Sequence, residues 1–164
     1  MIICGIDPGT ARIGWSIIKE QGSAIRAEAY GCIETSKTEE QSIRLLALHT
    51  AIDKILKEYH PSSMAVEDIF YATNAKTVIS VGQARGVILF CAAQNNIPVI
   101  SYSPPSIKRT ICGDGRADKA QVQKMVMRIL RLTAIPKPDD AADALAIALT
   151  HAYSYKLHNI LNSK

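Results

Sequence analysis

The hydrophobic pattern of the chain changes from strand-like to helical near residue 39, and this order limits the possible folds. Three apolar segments joined by short turns come first, and they predict strands at 2–6, 14–19 and 25–35. Helical and short apolar segments then alternate, with helices at 39–60, 74–95, 119–132 and 139–156 and strands at 64–69 and 98–103. Hairpins join antiparallel strands, whereas a strand that follows a helix usually lies parallel to an earlier one. The sequence therefore predicts an α/β fold. Its mixed five-stranded sheet has three antiparallel strands, then parallel strands, with helices on both faces.

A carboxylate stands at the end of the first predicted strand. Asp7 follows the apolar residues 2–6, and Pro8 and Gly9 then mark a tight turn. Asp before Pro-Gly often caps a turn with its own side chain. A carboxylate held at a strand end can also bind a cation, so this stretch alone leaves both interpretations open.

A second carboxylate occupies a comparable position on another predicted strand. Glu67 follows Met64, Ala65 and Val66, which have the character of a buried strand. An ionised Glu in such a strand is costly unless it is paired or bound to a metal. If this strand lies parallel beside the first, Glu67 and Asp7 emerge at the same edge of the sheet, where ligands of α/β folds bind.

The start of the last predicted helix contributes three more acids. Asp139, Asp140 and Asp143 lie in its first turns, where acids also serve as ordinary helix caps. The apolar run 144–149 that follows predicts a helix buried on most sides. Either Asp139 or Asp140 could share a helix face with Asp143, and spacing does not decide between them.

Carboxylates brought this close repel one another unless a cation joins them. Sites made only of oxygen ligands suit Mg²⁺ or Mn²⁺. Two such ions about 4 Å apart can stabilise both the attacking and the leaving oxygen in phosphoryl displacement. The combination predicts a metal-dependent nuclease, although no single residue is specific for one.

The positive charge of the chain is concentrated in one stretch. The net charge is only +4, but residues 104–138 hold eight basic side chains and two acidic ones around a glycine-containing loop at 112–115. Such a stretch can be a solvated helix face or a surface that binds phosphates.

Length and composition set broader limits. A chain of 164 residues suggests one domain, and we expect it to cover residues 1–157, with a frayed tail at 158–164. No apolar run approaches the ~20 residues that span a bilayer, and the strand-like start is unlike a signal peptide. The four cysteines are far apart, without metal-ligand spacing. These features predict a cytoplasmic protein with reduced thiols and no membrane segment.

Four segments together resemble the bacterial Holliday-junction resolvases, a family of the RNase H-like superfamily. They are "GIDPGT" at the start, "AVEDIFYATNAKTVISVGQARG" in the middle, "IKRTICGDGRADKAQVQKMV" after the fifth strand and "DAADALAIALTH" near the end. The resemblance spans nearly the whole chain. It implies an RNase H-like fold and a homodimer that binds four-way junction DNA and nicks two strands of like polarity. It also implies cooperation with the branch-migration motor made of RuvA and RuvB.

The resemblance also implies roles for individual residues. The four family acids fall on Asp7, Glu67, Asp140 and Asp143, so the pattern Asp-Ala-Ala-Asp selects Asp140 over Asp139 as a ligand of Mg²⁺, with two ions per site and Mn²⁺ as a substitute. The DNA-binding residues it implies are Phe70, which would stack on an unpaired base, and Lys108 and Lys119, which would lie near the scissile phosphate. Arg116 is a further predicted DNA-binding residue, but it is predicted from the basic stretch and not from the resemblance. The long helix at 74–95 would form much of the dimer interface.

Three other functions remain to be distinguished. Actin-like ATPases share the opening phrase, but they need two such domains around a nucleotide, and a second glycine-rich phosphate loop is absent, so we expect no nucleotide cofactor. A non-catalytic DNA-binding module would not need all four acids. A related nuclease that acts on RNA–DNA hybrids or ribosomal RNA precursors can be distinguished from a junction resolvase only by testing a panel of substrates.

Overall fold

The computed structural model describes residues 1–22, 24–69 and 75–162. The strands are β1 (Ile2–Asp7), β2 (Arg12–Gln21), β3 (Ala24–Glu34), β4 (Ser63–Glu67) and β5 (Val99–Tyr102). The helices are α1 (Gln41–Tyr59), α2 (Ala75–Gln94), α3 (Pro104–Cys112), α4 (Lys119–Ile129) and α5 (Asp139–Asn162). Each predicted strand and helix is present, with ends shifted by a few residues.

The five strands form one mixed sheet in the order β3-β2-β1-β4-β5. The pairs β1–β2 and β2–β3 are antiparallel, whereas β1–β4 and β4–β5 are parallel. In the parallel pair β1–β4, Ile6 lies opposite Val66, so Asp7 and Glu67 follow at the same edge of the sheet. The predicted sheet, including its change from antiparallel to parallel pairing, is confirmed.

Helices cover both faces of the sheet because the strand residues alternate between two cores. Cys4 and Ile6 of β1 face a core with α1 and α2 that includes Leu48, Ile52 and Ile88. Ile3, one residue out of phase, joins the opposite core with α3, α4 and α5. This alternation is the period of two that a strand imposes on its side chains.

Helix α5 lies unusually close to the two central strands. A Cβ atom added to Gly5 of β1 would collide with the carbonyl oxygen of Ala144, and one added to Gly14 of β2 would collide with that of Asp140. Glycine therefore permits this approach, and alanines at 141, 142 and 144 make the helix face small as well. The approach fixes the first turns of α5 beside the end of β1.

Helix α3 was not predicted from the sequence, which indicated only a basic stretch that begins at Pro104 and Pro105 and surrounds a loop at 112–115. Proline is tolerated at the first positions of a helix because those amides need no partner within the helix, and both prolines stand there in α3. Ile107 and Ile111, four residues apart, bury its apolar side. Helix α5 also continues to Asn162, beyond the predicted end near Lys156. The prediction of a frayed tail remains untested.

One stretch of α2, residues 77–94, is long and apolar enough to cross a membrane by length and composition alone. Only 22% of that stretch is buried within this chain. Ile79 and Phe90 of α2, together with Leu46 of the neighbouring α1, are each exposed over about three fifths of their surface. The helix pair α1–α2 thus presents an apolar surface that the single chain does not cover.

Candidate active site

Asp7 and Glu67 stand side by side at the ends of β1 and β4, and both are largely shielded from solvent. Burial, followed by the negative charge of Glu67 and then of Asp143, raises the pKa of Asp7 to about 8. Burial and the charge of Asp143 likewise raise the pKa of Glu67 to about 7, although a hydrogen bond with Asp7 opposes that rise. The fold therefore holds two carboxyl groups where their charges repel unless protons or cations are present.

Asp143 reaches the same place from the second turn of α5. It lines a cavity of about 230 Å³ together with Asp7, Glu67, Lys108 and Lys119. Pro104 and Ile107 of α3, Val122 of α4 and Ala146 and Ile147 of α5 provide its apolar walls. Three acids from three different elements thus share one cavity with two lysines.

Lys119, the first residue of α4, forms an ion pair with two acids of α5. Its Nζ lies 2.7 Å from Oδ2 of Asp139 and 2.8 Å from Oδ2 of Asp143. Burial alone would lower the pKa of Lys119, but these two contacts raise it. The same ammonium lowers the pKa of Asp139, while burial keeps the pKa of Asp143 raised. Lys119 is therefore a fixed cation at the mouth of the cavity.

Asp140 lies nearby but does not line the cavity. Its Oδ2 is 3.0 Å from Nη2 of Arg12, and the thiol of Cys32 lies 3.9 Å from the same oxygen. Its negative charge contributes to the raised pKa of Asp7, so the two carboxylates are still electrostatically linked. Sequence reasoning missed Arg12 and Cys32, because only the packing of α5 on β2 brings them to Asp140.

Among the residues that the structure describes, no three His, Cys, Asp or Glu side chains are already arranged to hold one metal ion. Lys119 and Arg12 instead hold Asp143 and Asp140. The donor set nevertheless fits a hard divalent cation, because the candidate ligands are all carboxylates. Burial, and then the negative charge of neighbouring acids, raises the pKa of Asp7 and Glu67, and a bound cation would favour their ionised forms.

The predicted DNA-binding residues fall in three different environments. Lys108 of α3 and Lys119 of α4 both line the cavity. Arg116 lies outside it, with its side chain 93% exposed and its Nε 3.6 Å from Asp114. An exposed pair of this kind contributes little to stability, so Arg116 is available to other anions. Phe70 lies outside the described residues.

Comparisons with known proteins point to one family. The family model described as crossover junction endodeoxyribonuclease RuvC matches residues 3–151. Two similar curated proteins carry that same name. The one from Syntrophomonas wolfei is 47% identical over 99% of this chain and 95% of its own length, and the one from Fusobacterium nucleatum is 53% identical over 94% and 81%.

A solved structure of RuvC from Thermus thermophilus in complex with a Holliday junction substrate is also similar. It superimposes with a TM-score of 0.92 at 34% identity and covers 96% of both chains. The residues matched by the family model, 3–151, include Asp7, Glu67, Asp140 and Asp143.

Proposed function

Because this chain belongs to the RuvC family of crossover junction endodeoxyribonucleases, we propose that it resolves four-way DNA junctions by paired nicks in two strands of like polarity. Asp7, Glu67, Asp140 and Asp143 are its catalytic acids. The observation that carries this proposal is the cavity in which Asp7, Glu67 and Asp143 meet Lys108 and Lys119. The acids can bind a cation and the lysines can bind a phosphate, and both groups within one cavity suit phosphodiester hydrolysis.

The proposed cofactor is Mg²⁺, two ions per site, with Mn²⁺ as a substitute. When bound, the ions would neutralise the charge that develops on the attacking and leaving oxygens of the phosphodiester. The residues of the chain supply the rest of the chemistry. The four carboxylates would hold the ions. Because Asp7 and Glu67 are shielded from solvent, ionising both carboxyl groups without a bound cation is costly.

Lys119 and Lys108, which line the same cavity as the acids, add positive charge. A cation that is already fixed beside the reacting phosphate stabilises the transition state without reorganising when the charge develops. Lys119 is held in this way by Asp139 and Asp143. Arg116 is exposed on the loop between α3 and α4, and we propose that it contacts a phosphate of the DNA backbone. Phe70 is proposed to stack on an unpaired base at the junction.

The active form is proposed to be a homodimer joined through α1 and α2. The two helices flank an apolar surface depression of about 420 Å³ lined mainly by Leu45, Leu46, Val87 and Phe90. A second copy of this chain would bury this surface and bring two active sites to one junction. Sedimentation equilibrium tests the point, since a purely monomeric chain at micromolar concentration would exclude it. In the cell we expect the dimer to act in the cytoplasm with the RuvA–RuvB motor, independently of any membrane.

A cleavage assay on a panel of substrates tests the proposal as a whole. The full chain is incubated with Mg²⁺ and a mobile four-way junction, and separately with duplex, single-stranded and RNA–DNA hybrid substrates of the same sequence. We expect symmetric nicks in the junction alone, and none in chelator. Faster cleavage of the hybrid would identify the chain as a different RNase H-like nuclease.

A further inference from the structure

We propose that Arg12 is a positioning residue that fixes the carboxylate of Asp140 for cation binding. The inference rests on the proposed function, because it requires Asp140 to be a ligand of the active-site cation. Arg12 would touch neither the cation nor the DNA. It would act only through Asp140, whose side chain it contacts where α5 packs on β2.

The contact between Arg12 and Asp140 engages one oxygen of the carboxylate. Arg12 Nη2 lies 3.0 Å from Oδ2 of Asp140, and the thiol of Cys32 points at that same oxygen from 3.9 Å. Both contacts fall on Oδ2, so they orient the carboxylate and leave its other oxygen outside this pair. Polar partners of this kind commonly orient carboxylates that ligate metals.

Arg12 also faces an acid on the neighbouring strand β3. It stands opposite Glu34 in the β2–β3 register, and its Nε lies 3.6 Å from Oε1 of Glu34. One edge of the guanidinium therefore faces Glu34 and one terminal nitrogen faces Asp140. Arginine presents several donors in a planar fork, so a single side chain can bridge two carboxylates in fixed directions.

The backbone next to Arg12 supports the same function. Gly14, two residues along β2, lies so close to α5 that a Cβ atom would collide with the carbonyl oxygen of Asp140. Cys32 pairs with Gly14 across the β2–β3 ladder, which brings its thiol to the same point. The close contact with Gly14 fixes the position of the Asp140 backbone, and Arg12 fixes the direction of the Asp140 carboxylate.

Asp140 needs such a partner more than the other acids do. Asp7, Glu67 and Asp143 line one cavity, whereas Asp140 lies outside that lining. Without Arg12, the repulsion that links Asp140 to Asp7 would favour turning the carboxylate away from the site. Turning the Asp140 carboxylate back toward the site would then cost free energy and weaken cation binding.

The test measures cation affinity in the dimeric, full-length protein without DNA. Melting temperature is recorded against Mg²⁺ concentration for the parent chain and for Arg12→Ala, Arg12→Lys and Asp140→Asn. We expect Arg12→Ala to need about 10-fold more Mg²⁺, the lower end of the range for such supporting residues. Arg12→Lys, which keeps the charge and one donor, should fall between Arg12→Ala and the parent chain.

Two comparisons separate positioning from general charge or folding effects. Arg26→Ala removes the same charge from β3, away from the acids, and should leave the Mg²⁺ response unchanged. In the double variant Arg12→Ala with Asp140→Asn, loss of Arg12 should add nothing to the loss of Asp140. An unchanged or lower Mg²⁺ requirement in Arg12→Ala would overturn the proposal, as would an additive double variant. If Asp140→Asn alone keeps the full response, then Asp140 is not a ligand and the assignment in the proposed function fails first.

Discussion

Nζ of Lys119 lies 2.8 Å from Oδ2 of Asp143, so a fixed ammonium already contacts a carboxylate that we assign to the cation site. In Lys119→Ala the carboxylates would lose this counter-charge, and the reacting phosphate would lose a positive neighbour. Removing one such group from a preorganised site typically slows the chemical step about 10²–10³-fold. We expect junction cleavage to fall by that order, while junction affinity falls much less.

Lys124→Ala is the matched control for this prediction. Lys124 is an exposed lysine of the same helix α4, and it lines a different surface with Cys112 and Arg128. Its loss should weaken binding slightly and leave the cleavage rate of bound junction unchanged. Equal rates for bound junction in both variants would show that Lys119 serves binding alone.

The pH dependence of stability should reveal the cost of ionising Asp7 and Glu67, which are shielded from solvent and close to other acids. Their pKa values in the folded chain, about 8 and about 7, lie above the ordinary 3.8 and 4.5. As pH rises past about 4, the unfolded chain therefore releases protons that the folded chain still holds. We expect the free energy of unfolding in chelator to fall between about pH 4 and pH 8. Thermal melts across that range should show a shallower decline for Glu67→Gln, and an identical decline would refute the assignment.

The basic residues near the cavity should set the salt dependence of junction binding. Each phosphate neutralised on duplex DNA contributes about 0.9 to the slope of log affinity against log salt. Changing Lys108, Arg116 and Lys119 together to Ala should reduce that slope by about two to three, when affinity is measured in chelator from 50 to 200 mM salt. A slope equal to that of the parent chain would leave these residues as a solvated surface.

Phe70 follows the strand that carries Glu67, and we expect it to stack on a base. Stacking of an aromatic side chain on a base is worth about 1–3 kcal/mol. Phe70→Ala should therefore impair cleavage of the junction while the melting temperature stays near that of the parent chain. A large fall in melting temperature would instead place Phe70 in the hydrophobic core.

Much of the sheet could be predicted because its signals are local. The apolar pattern, the turn residues and the change of hydrophobic period predicted the three antiparallel strands. The helix between β3 and β4 predicted the parallel pair that sets Asp7 beside Glu67. Helix α3 was not predicted, because Pro104 and Pro105 were interpreted only as the start of the basic stretch. The spacing of Ile107 and Ile111 was the available signal for a helix.

The contacts that complete the site could not be predicted in the same way. Arg12 meets Asp140, and Lys119 meets Asp143, only after α5 has packed on β2 and α4 has packed beside α5. Spacing within one helix also left Asp139 and Asp140 equivalent. In the folded chain they differ, because Asp139 pairs with Lys119 and Asp140 pairs with Arg12.

The most direct test of the four-carboxylate site is Asp7→Asn, which keeps a turn-forming side chain of nearly the same shape. If Asp7 only caps the turn, Asn should serve as well and little should change. If Asp7 binds the cation, cleavage of a four-way junction in Mg²⁺ should fall by about two orders of magnitude or more. Junction binding in chelator should persist or tighten, and melting without metal should shift upward because repulsion is relieved. Stabilisation by added Mg²⁺ should shrink. Cleavage by Asp7→Asn at close to the parent rate would contradict the mechanism.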